Sequence, residues 1–310
     1  MPYEDPYWSI PCMTESQSSY LSSLSVVIAT LGGPELRGTI NCLNSGEIIP
    51  TEILVCIPQA EAKNQDLSDI DNVHIITTPC RGQVAQRAYG LKLAQQNMVM
   101  QIDDDIALFP QTMQALIIAL KELGHGNVVA PFFLHKEGTY VTSYSDDWVG
   151  ALQSIHAYLI CGAPWGLKRM GKISPAGIGY WFDRMRVGDD PIETDWVPGG
   201  CVLCFKQDLV LDAYFPYEGK AFSEDLIHSV LWRKKGAQLW AVPRAQCKTT
   251  VAHMPFNLNL IFADYRAHLH VVRMIDGSAW RLRLWFAFYF AQKLVVHLYR
   301  ILLGKRVSQA

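Results

Sequence analysis

Short apolar runs alternate with longer amphipathic segments from residue 24 onward. The apolar runs have the length of β-strands and occupy residues 24–30, 52–58, 72–78, 98–103 and 127–133. The amphipathic segments have helical length, with glycine or proline near their ends, at residues 32–46, 82–96 and 110–124. Because strands that alternate with helices build parallel sheets, the pattern predicts an α/β fold with a Rossmann-like, mostly parallel sheet.

The second half of the chain is less regular. Residues 134–195 combine glycine, aromatic and charged residues without clear periodicity, which predicts a long variable insertion. A Gly-Gly turn, a strand and a short helix are predicted within residues 195–215, and an amphipathic helix at residues 222–236. Late strands are predicted at residues 238–246 and 248–256.

No hydrophilic linker divides the core of the chain. We therefore predict one domain at residues 24–258, which includes the insertion. Residues 1–23 form a loose, Ser-rich lead-in that lacks the basic and apolar parts of a secretory signal. Residues 259–310 are predicted to be a C-terminal helical segment.

The composition narrows the class of protein. The chain has 310 residues, half of them hydrophobic, so it can bury a sizeable core. Its 27 basic and 29 acidic residues give a net charge of -2 and no general reason to expect nucleic acid as a partner. The eight cysteines are scattered, and Cys201 and Cys204 would point to opposite faces of a strand. We therefore expect buried thiols, no zinc site and a cytoplasmic location.

Three consecutive aspartates, Asp103, Asp104 and Asp105, follow the fourth predicted strand. Three carboxylates in a row repel one another unless a cation, helix-end amides or water compensates them. Ligands of open α/β sheets bind beyond the carboxyl ends of the strands. The aspartates are therefore the first candidates for a functional site, and a helix cap or solvated loop is the alternative.

Five segments occur in an order that resembles the inverting family 2 glycosyltransferases of the GT-A fold, over about residues 24 to 255. They are the strand SVVIAT, the helix RGQVAQRAYGLKLA, the DxD segment QIDDDIALFP, the Gly-Gly strand VPGGCVLCFK and the Glu-Asp helix FSEDLIHSVLWRKKG. The resemblance implies transfer of a sugar, of the hexosyl type, from a nucleotide-sugar donor. It also implies that the 134–195 insertion lies on the acceptor side.

The resemblance also implies a divalent cation, Mn²⁺ or Mg²⁺, at the DxD segment. Such a cation neutralises charge on the leaving diphosphate and prefers carboxylate ligands. Asp105 would be the direct ligand, whereas Asp103 and Asp104 would face the nucleotide ribose or support the metal. His253 lies where family members often supply a histidine, although a strand histidine can equally be a core residue.

Inversion requires a base that takes the proton of the acceptor hydroxyl. Asp225 matches the base of the family, and Glu224 would orient or support it. The alternative is that both acids only stabilise the first turn of their helix.

The resemblance also implies which residues contact the nucleotide part of the donor, with alternatives for each arginine. Thr30 would contact the nucleotide base, and Arg81 and Arg87 would contact the base or the diphosphate, unless they are exposed helix arginines. Pro58 and Gln59 stand where the family usually has an acid that contacts uracil, so a UDP-type and a GDP-type donor both stay open. The QxxRW motif is absent after the Glu-Asp helix, which favours addition of a single sugar over processive synthesis.

The C-terminal segment at residues 282–306 is long and apolar. Lys293, His297 and Arg300 follow helical spacing on one stripe, opposite a broad apolar side. Two cationic positions in mid-bilayer would be costly, so we expect a helix that lies in the membrane interface. A helix packed on the domain or in a dimer is the alternative.

Together these observations predict a metal-dependent, inverting glycosyltransferase with a saccharide or lipid-linked acceptor, in polysaccharide or glycolipid synthesis. We expect it in the cytoplasm or on the inner face of the membrane. A sugar-nucleotide pyrophosphorylase is one alternative, although LGGPELRG matches its glycine-rich loop poorly. A membrane-associated protein of the same fold without activity is the other.

Overall fold

The computed structural model describes residues 23–62, 67–144, 148–217, 220–249 and 256–302. The strands are β1 (Leu24–Ala29), β2 (Glu52–Pro58), β3 (Val73–Thr78), β4 (Met98–Ile102), β5 (Ile106–Leu108), β6 (Asn127–His135), β7 (Ile192–Thr194), β8 (Cys201–Phe205) and β9 (Gln238–Thr249). The α-helices are α1 (Leu36–Asn44), α2 (Gln59–Ala62), α3 (Gln83–Leu93), α4 (Thr112–Leu123), α5 (Trp148–His156), α6 (Glu224–Lys234), α7 (Leu258–Met274) and α8 (Ala279–Leu302).

The strands form one mixed sheet. Their order is β3-β2-β1-β4-β8-β6-β9-β5, and β7 pairs with β9 away from this path. The pairs β3-β2, β2-β1, β1-β4 and β6-β9 are parallel, whereas β8 is antiparallel to both of its neighbours. The mostly parallel α/β sheet predicted from the sequence is confirmed.

Helices cover both faces of this sheet. Helices α1 and α4 pack with Val26 and Ile28 of β1 on one face. Helix α3 and Trp232 of α6 pack with Val27 on the other face. Cys201 and Cys204 of β8 belong to opposite cores, as their spacing predicts, and both are buried free thiols.

Helix α3 approaches the sheet closely at Gly90. A Cβ at this position would lie 2.7 Å from Val27 Cγ1 and closer still to the Cys56 thiol. Both side chains are fully buried, so neither can yield easily. A glycine at residue 90 therefore lets α3 pack tightly enough to place its N-terminal end beside the carboxyl ends of β1, β2 and β4.

The structure corrects one prediction for the second half of the chain and adds detail to others. The insertion at 134–195 contains α5, a π turn at Ala157–Cys161 and β7. The short helix predicted within residues 195–215 is wrong, because β8 is followed there by a single 3₁₀ turn at Lys206–Asp208. Strand β9 covers the first predicted late strand and continues to Thr249, although its register with β6 skips residues 243–245, and residues 250–255 of the second predicted strand lie outside the described residues.

The C-terminal part of the described chain is helical. Helix α7 packs on α6, and α8 packs on α7. Among the residues that the structure describes, no helix combines the length and apolarity needed to cross a bilayer.

Candidate functional site

The three aspartates begin where β4 ends, in the turn that leads into β5. The amide of Asp103 donates a hydrogen bond of 2.8 Å to the carbonyl of Gly200, just before β8. Thr39 of α1 donates its hydroxyl to the carbonyl of Asp104 at 2.8 Å. These contacts fix the acidic turn against helix α1 and the turn that precedes β8.

Arg87 links the aspartates to the Glu-Asp helix. Its guanidinium donates to Asp103 Oδ1 and to Glu224 Oε1, both at 2.8 Å. The side chain is only 2% exposed, so the alternative of an exposed helix arginine is wrong. The buried cation thus joins the DxD segment to a carboxylate that lies 137 residues beyond Arg87 in the chain.

Asp103 is held by two donors and by burial. Besides Arg87, Gln83 Nε2 donates to Asp103 Oδ1 at 2.9 Å. Burial raises the pKa of Asp103 to about 6, because desolvation and the charge of Glu224 outweigh the stabilising charge of Arg87. One of its oxygens is therefore already occupied by protein donors, which suits a supporting role.

Glu224 is similarly occupied. Tyr214 donates its hydroxyl to Glu224 Oε2 at 2.7 Å, while Arg87 holds the other oxygen. A Cβ on Gly199 would lie 2.6 Å from Glu224 Oε1, so the Gly-Gly turn leaves the space that this carboxylate fills. Both oxygens of Glu224 are therefore engaged by donors of the protein.

Asp225 is the neighbouring carboxylate, and its surroundings differ. Its Oδ1 accepts a hydrogen bond of 2.9 Å from the amide of Leu226. Burial, followed by the charge of Glu224, raises the pKa of Asp225 to about 7, although this amide and His268 act in the opposite direction. A carboxylate with a pKa near neutrality is suited to exchange a proton at working pH.

His268 of α7 lies beside the start of α6, and sequence reasoning missed it. Its Nδ1 lies 3.1 Å from Asp264 Oδ1 and 3.2 Å from Ser223 Oγ. Burial lowers the pKa of His268, but the hydrogen bond and charge of Asp264 and the charge of Asp225 raise it on balance. No local motif marks this histidine, because its role depends on how α7 packs.

Tyr214 was also missed. It precedes α6 by ten residues in an irregular segment, so neither spacing nor periodicity relates it to Glu224. By contrast, the helix segment RGQVAQRAYGLKLA contains both Gln83 and Gln86. Gln86 donates to the carbonyls of Thr30 and Cys56 at 2.7 and 2.9 Å. Gln86 thereby ties together the ends of β1 and β2.

Thr30 and Arg81, which were predicted to contact the nucleotide-sugar, lie in different parts of the structure. Thr30 is buried at the end of β1, donates its hydroxyl to the carboxylate of Asp104 and accepts from the amide of Gly32 at 2.8 Å. Arg81 is 68% exposed and pairs with Glu61 Oε1 of α2 at 2.7 Å. The structure therefore joins Thr30 to the aspartates and places Arg81 on the exposed side, beyond β2.

Asp105 has the features of a ligand for a hard cation. It is partly exposed, and burial together with the charge of Asp104 raises its pKa. A divalent cation would relieve this repulsion. Within the described ranges, no group of three or more His, Cys, Asp and Glu side chains could hold a metal by itself.

His253, the third predicted metal ligand, lies outside the described residues. Of the three predicted metal ligands, the structure therefore describes Asp105 and Asp103. Of these two, Asp105 fits better, because Arg87 and Gln83 already engage Asp103.

Comparisons with known proteins agree with this architecture. The model of the glycosyl transferase family 2 matches residues 25–174. The crystal structure of GalNAc-T7 with UDP, GalNAc and Mn²⁺ superposes with a TM-score of 0.55 and 14% identity, over 82% of this chain. This chain covers 48% of that structure's chain, and the likeness concerns the fold. A search of the curated proteins finds no match.

The family match covers β1 to β6 and the DxD segment, and the superposition extends the likeness over most of the sheet. Residues 25–174 therefore match glycosyl transferase family 2, and the fold of the chain is GT-A.

Proposed function

We propose that the protein transfers one hexosyl group from a nucleotide-sugar donor to an acceptor hydroxyl, with inversion at the anomeric carbon. The observation that carries the proposal is the bridge made by Arg87 between Asp103 and Glu224. It brings the donor end of the site, at the aspartates, and the acceptor end, at α6, into one buried network. The family match supports a transferase over a pyrophosphorylase.

In this proposal Asp225 is the general base. Its pKa of about 7 allows it to be ionised at neutral pH and still accept the proton of a hydroxyl. Glu224 keeps the first turn of α6 in place, because both of its oxygens are held by Arg87 and Tyr214. His268 lies close enough to favour the ionised form of Asp225.

The donor is proposed to bind at the carboxyl ends of β1, β2 and β4. Asp105 would hold a Mn²⁺ or Mg²⁺ ion, with Asp103 and Asp104 supporting the ribose or the metal. When bound, the cation would neutralise charge on the leaving diphosphate. The related structure with UDP and Mn²⁺ supports this arrangement, whereas the choice between a UDP-type and a GDP-type donor needs a direct test.

The proposed catalytic unit is residues 24–258 with the 134–195 insertion on the acceptor side. Helix α7 completes it, because His268 contacts Ser223 at the entrance to α6. A saccharide or lipid-linked acceptor is proposed, and cytoplasmic peripheral attachment through α8 stays a separate proposal.

The experiment compares wild type with Asp225→Asn. Donor binding is first identified by thermal shift with UDP and GDP, each with and without Mn²⁺. Release of the nucleoside diphosphate from the matching UDP- or GDP-hexose, with a mixture of saccharide acceptors, then measures transfer. Asp225→Asn should fall about 100-fold or more in transfer while its thermal shift with nucleotide is unchanged.

Asp71→Asn is the matched control, because Asp71 is exposed and precedes β3, at the end of the strand opposite to the site. It should keep full activity. Full turnover by Asp225→Asn, or a product with retained anomeric configuration by NMR, would exclude the proposed mechanism.

A further inference from the structure

Two segments without any acidic residue fold against each other on one side of the protein. Residues 148–182 and residues 277–310 contain no aspartate or glutamate, although the chain has 29 acidic residues. They meet where Arg281 Nη1 of α8 donates to the carbonyls of Leu159 and Ile160 at 2.7 and 3.2 Å. The rings of His156 and Phe288 add an edge contact at 5.5 Å between centroids. Together, the exposed side chains of residues 148–169 and of α8 are called the acid-free surface.

Helix α8 contributes an outward apolar stripe to this surface. At about 100° per residue, the exposed large apolar side chains of α8 fall within a sector of about 160°. They are Trp280, Leu284, Phe288, Val295, Val296, Leu298 and Tyr299. The opposite side packs on the protein, where Leu282 is fully buried and Phe286 contacts Tyr265.

The structure changes the expected place of the cationic stripe on α8. Lys293 lies over the ring of Tyr289, and the ring of His297 stacks on Phe256 at 4.5 Å. Both side chains therefore lie towards the protein and are half-buried. The side of α8 that faces away from the protein is apolar.

Helix α5 and the turn after it contribute a second apolar stripe. Trp148, Leu152, Ile155 and Leu159 are exposed and follow helical spacing. Trp165 and Leu167 are also exposed and immediately precede Lys168. Tryptophan beside cationic residues is typical of helices that lie at the membrane interface.

The positive charge of the acid-free surface indicates which kind of partner it binds. The two acid-free segments carry nine lysines and arginines, of which Lys168 and Arg283 are exposed. Arg169 is buried and Lys172 pairs with Asp195, so these two add little to the charge that the surface presents. A second copy would bring the same cations together across a symmetric interface, which like-charge repulsion opposes. An anionic lipid surface instead complements both the cations and the apolar stripes. No described helix is long and apolar enough to span the bilayer, so binding would occur in the interfacial plane.

We propose that the acid-free surface binds the anionic face of a membrane, with α5 and α8 entering the headgroup region side by side. The proposal extends attachment beyond α8 to the 134–195 insertion. It does not depend on the transfer reaction, because binding to lipid is measured without donor or acceptor.

The test is flotation of the full chain with vesicles of phosphatidylcholine, with and without phosphatidylglycerol. Binding should require phosphatidylglycerol and weaken at high salt. The double variant Lys168→Glu with Arg283→Glu should bind roughly 30-fold more weakly or worse, since each basic residue near an anionic surface contributes about fivefold. Lys92→Glu, which reverses an exposed cation on α3, is the matched control and should bind normally.

A second pair of variants tests the apolar stripes. Trp148 and Val295 are 74% and 65% exposed, so Trp148→Gln with Val295→Gln should not alter thermal stability but should reduce binding about tenfold or more. Met185→Gln is the control, because Met185 is 73% exposed and lies outside both acid-free segments. If wild type fails to float with anionic vesicles, or if the variants abolish self-association in lipid-free sedimentation, the membrane proposal is wrong.

Discussion

Replacing Arg87 with methionine would test the network on which the proposed site depends. Methionine fills part of the space of the arginine stem but donates no hydrogen bond. Asp103 and Glu224 would both lose a donor at 2.8 Å and a compensating charge. The substitution therefore addresses the link between the DxD segment and α6 directly.

The size of the loss follows from burial. Removing one partner of a buried ion pair costs about 3–5 kcal/mol, because the remaining charge stays desolvated. Two carboxylates are affected here, but Gln83 still donates to Asp103 and Tyr214 still donates to Glu224. We therefore expect a loss near the upper end of that range and not twice the value.

The loss should depend on pH. Burial already raises the pKa of Asp103 from 3.8 to about 6 against the influence of Arg87, so the pKa should rise further in the variant. Above pH 3.8 the carboxyl of Asp103 is ionised in the unfolded chain but still protonated in the folded protein. The free energy of unfolding therefore falls as the pH rises to the pKa of the folded state. Because this fall extends to higher pH in the variant, its deficit relative to wild type should be larger at pH 8 than at pH 5.

Urea denaturation of wild type and Arg87→Met at the two pH values measures the deficit. Arg37→Met is the matched control, because Arg37 makes two hydrogen bonds to one carboxylate, Asp69, and both side chains are about half exposed. It should lose less than about 1 kcal/mol at either pH.

A loss below about 1 kcal/mol for Arg87→Met at pH 8, or an equal loss at both pH values, would refute the reasoning. Should Arg87→Met fail to fold, Arg87→Lys keeps the charge but lacks the fork that reaches two carboxylates at once. It should show the same pH trend with a smaller loss.

Three further predictions follow from the packing and the site. Gly90→Ala should destabilise the protein by about 1–3 kcal/mol through overpacking, whereas Gly38→Ala on the exposed side of α1 should be neutral or stabilising, by thermal unfolding. The rate of transfer should rise with pH around 7, the pKa of Asp225, since only the ionised base accepts a proton. His268→Gln should shift this rising part of the pH–rate profile to higher pH, because it removes a nearby cation. An unchanged pH–rate profile would exclude the electrostatic role of His268. Asp105→Asn should abolish the effect of Mn²⁺ on the thermal shift with nucleotide, and a full Mn²⁺ effect would exclude Asp105 as a ligand.

The hydrophobic pattern of the sequence was sufficient to predict most strands of the sheet. The first five predicted strands match β1, β2, β3, β4 and β6 closely. Four of them are buried and form continuous apolar runs of characteristic length, whereas β3 lies at the edge of the sheet and is largely exposed. The short strands β5 and β7 were missed, since three residues are too few to show a periodicity. Helix α5 was missed because its apolar residues lie in a segment whose pattern lacks regular helical signals at both ends.

The amino-acid sequence by itself determined the family, the position of the aspartates after β4 and the pairing of Glu224 with Asp225. These features depend on residues close in the chain. Only the tertiary structure decided that Arg87 is buried between Asp103 and Glu224, and that His268 adjoins the base. Burial and long-range contact arise from how helices pack on the sheet, and a guanidinium is exposed or buried according to neighbours that lie far away in the chain.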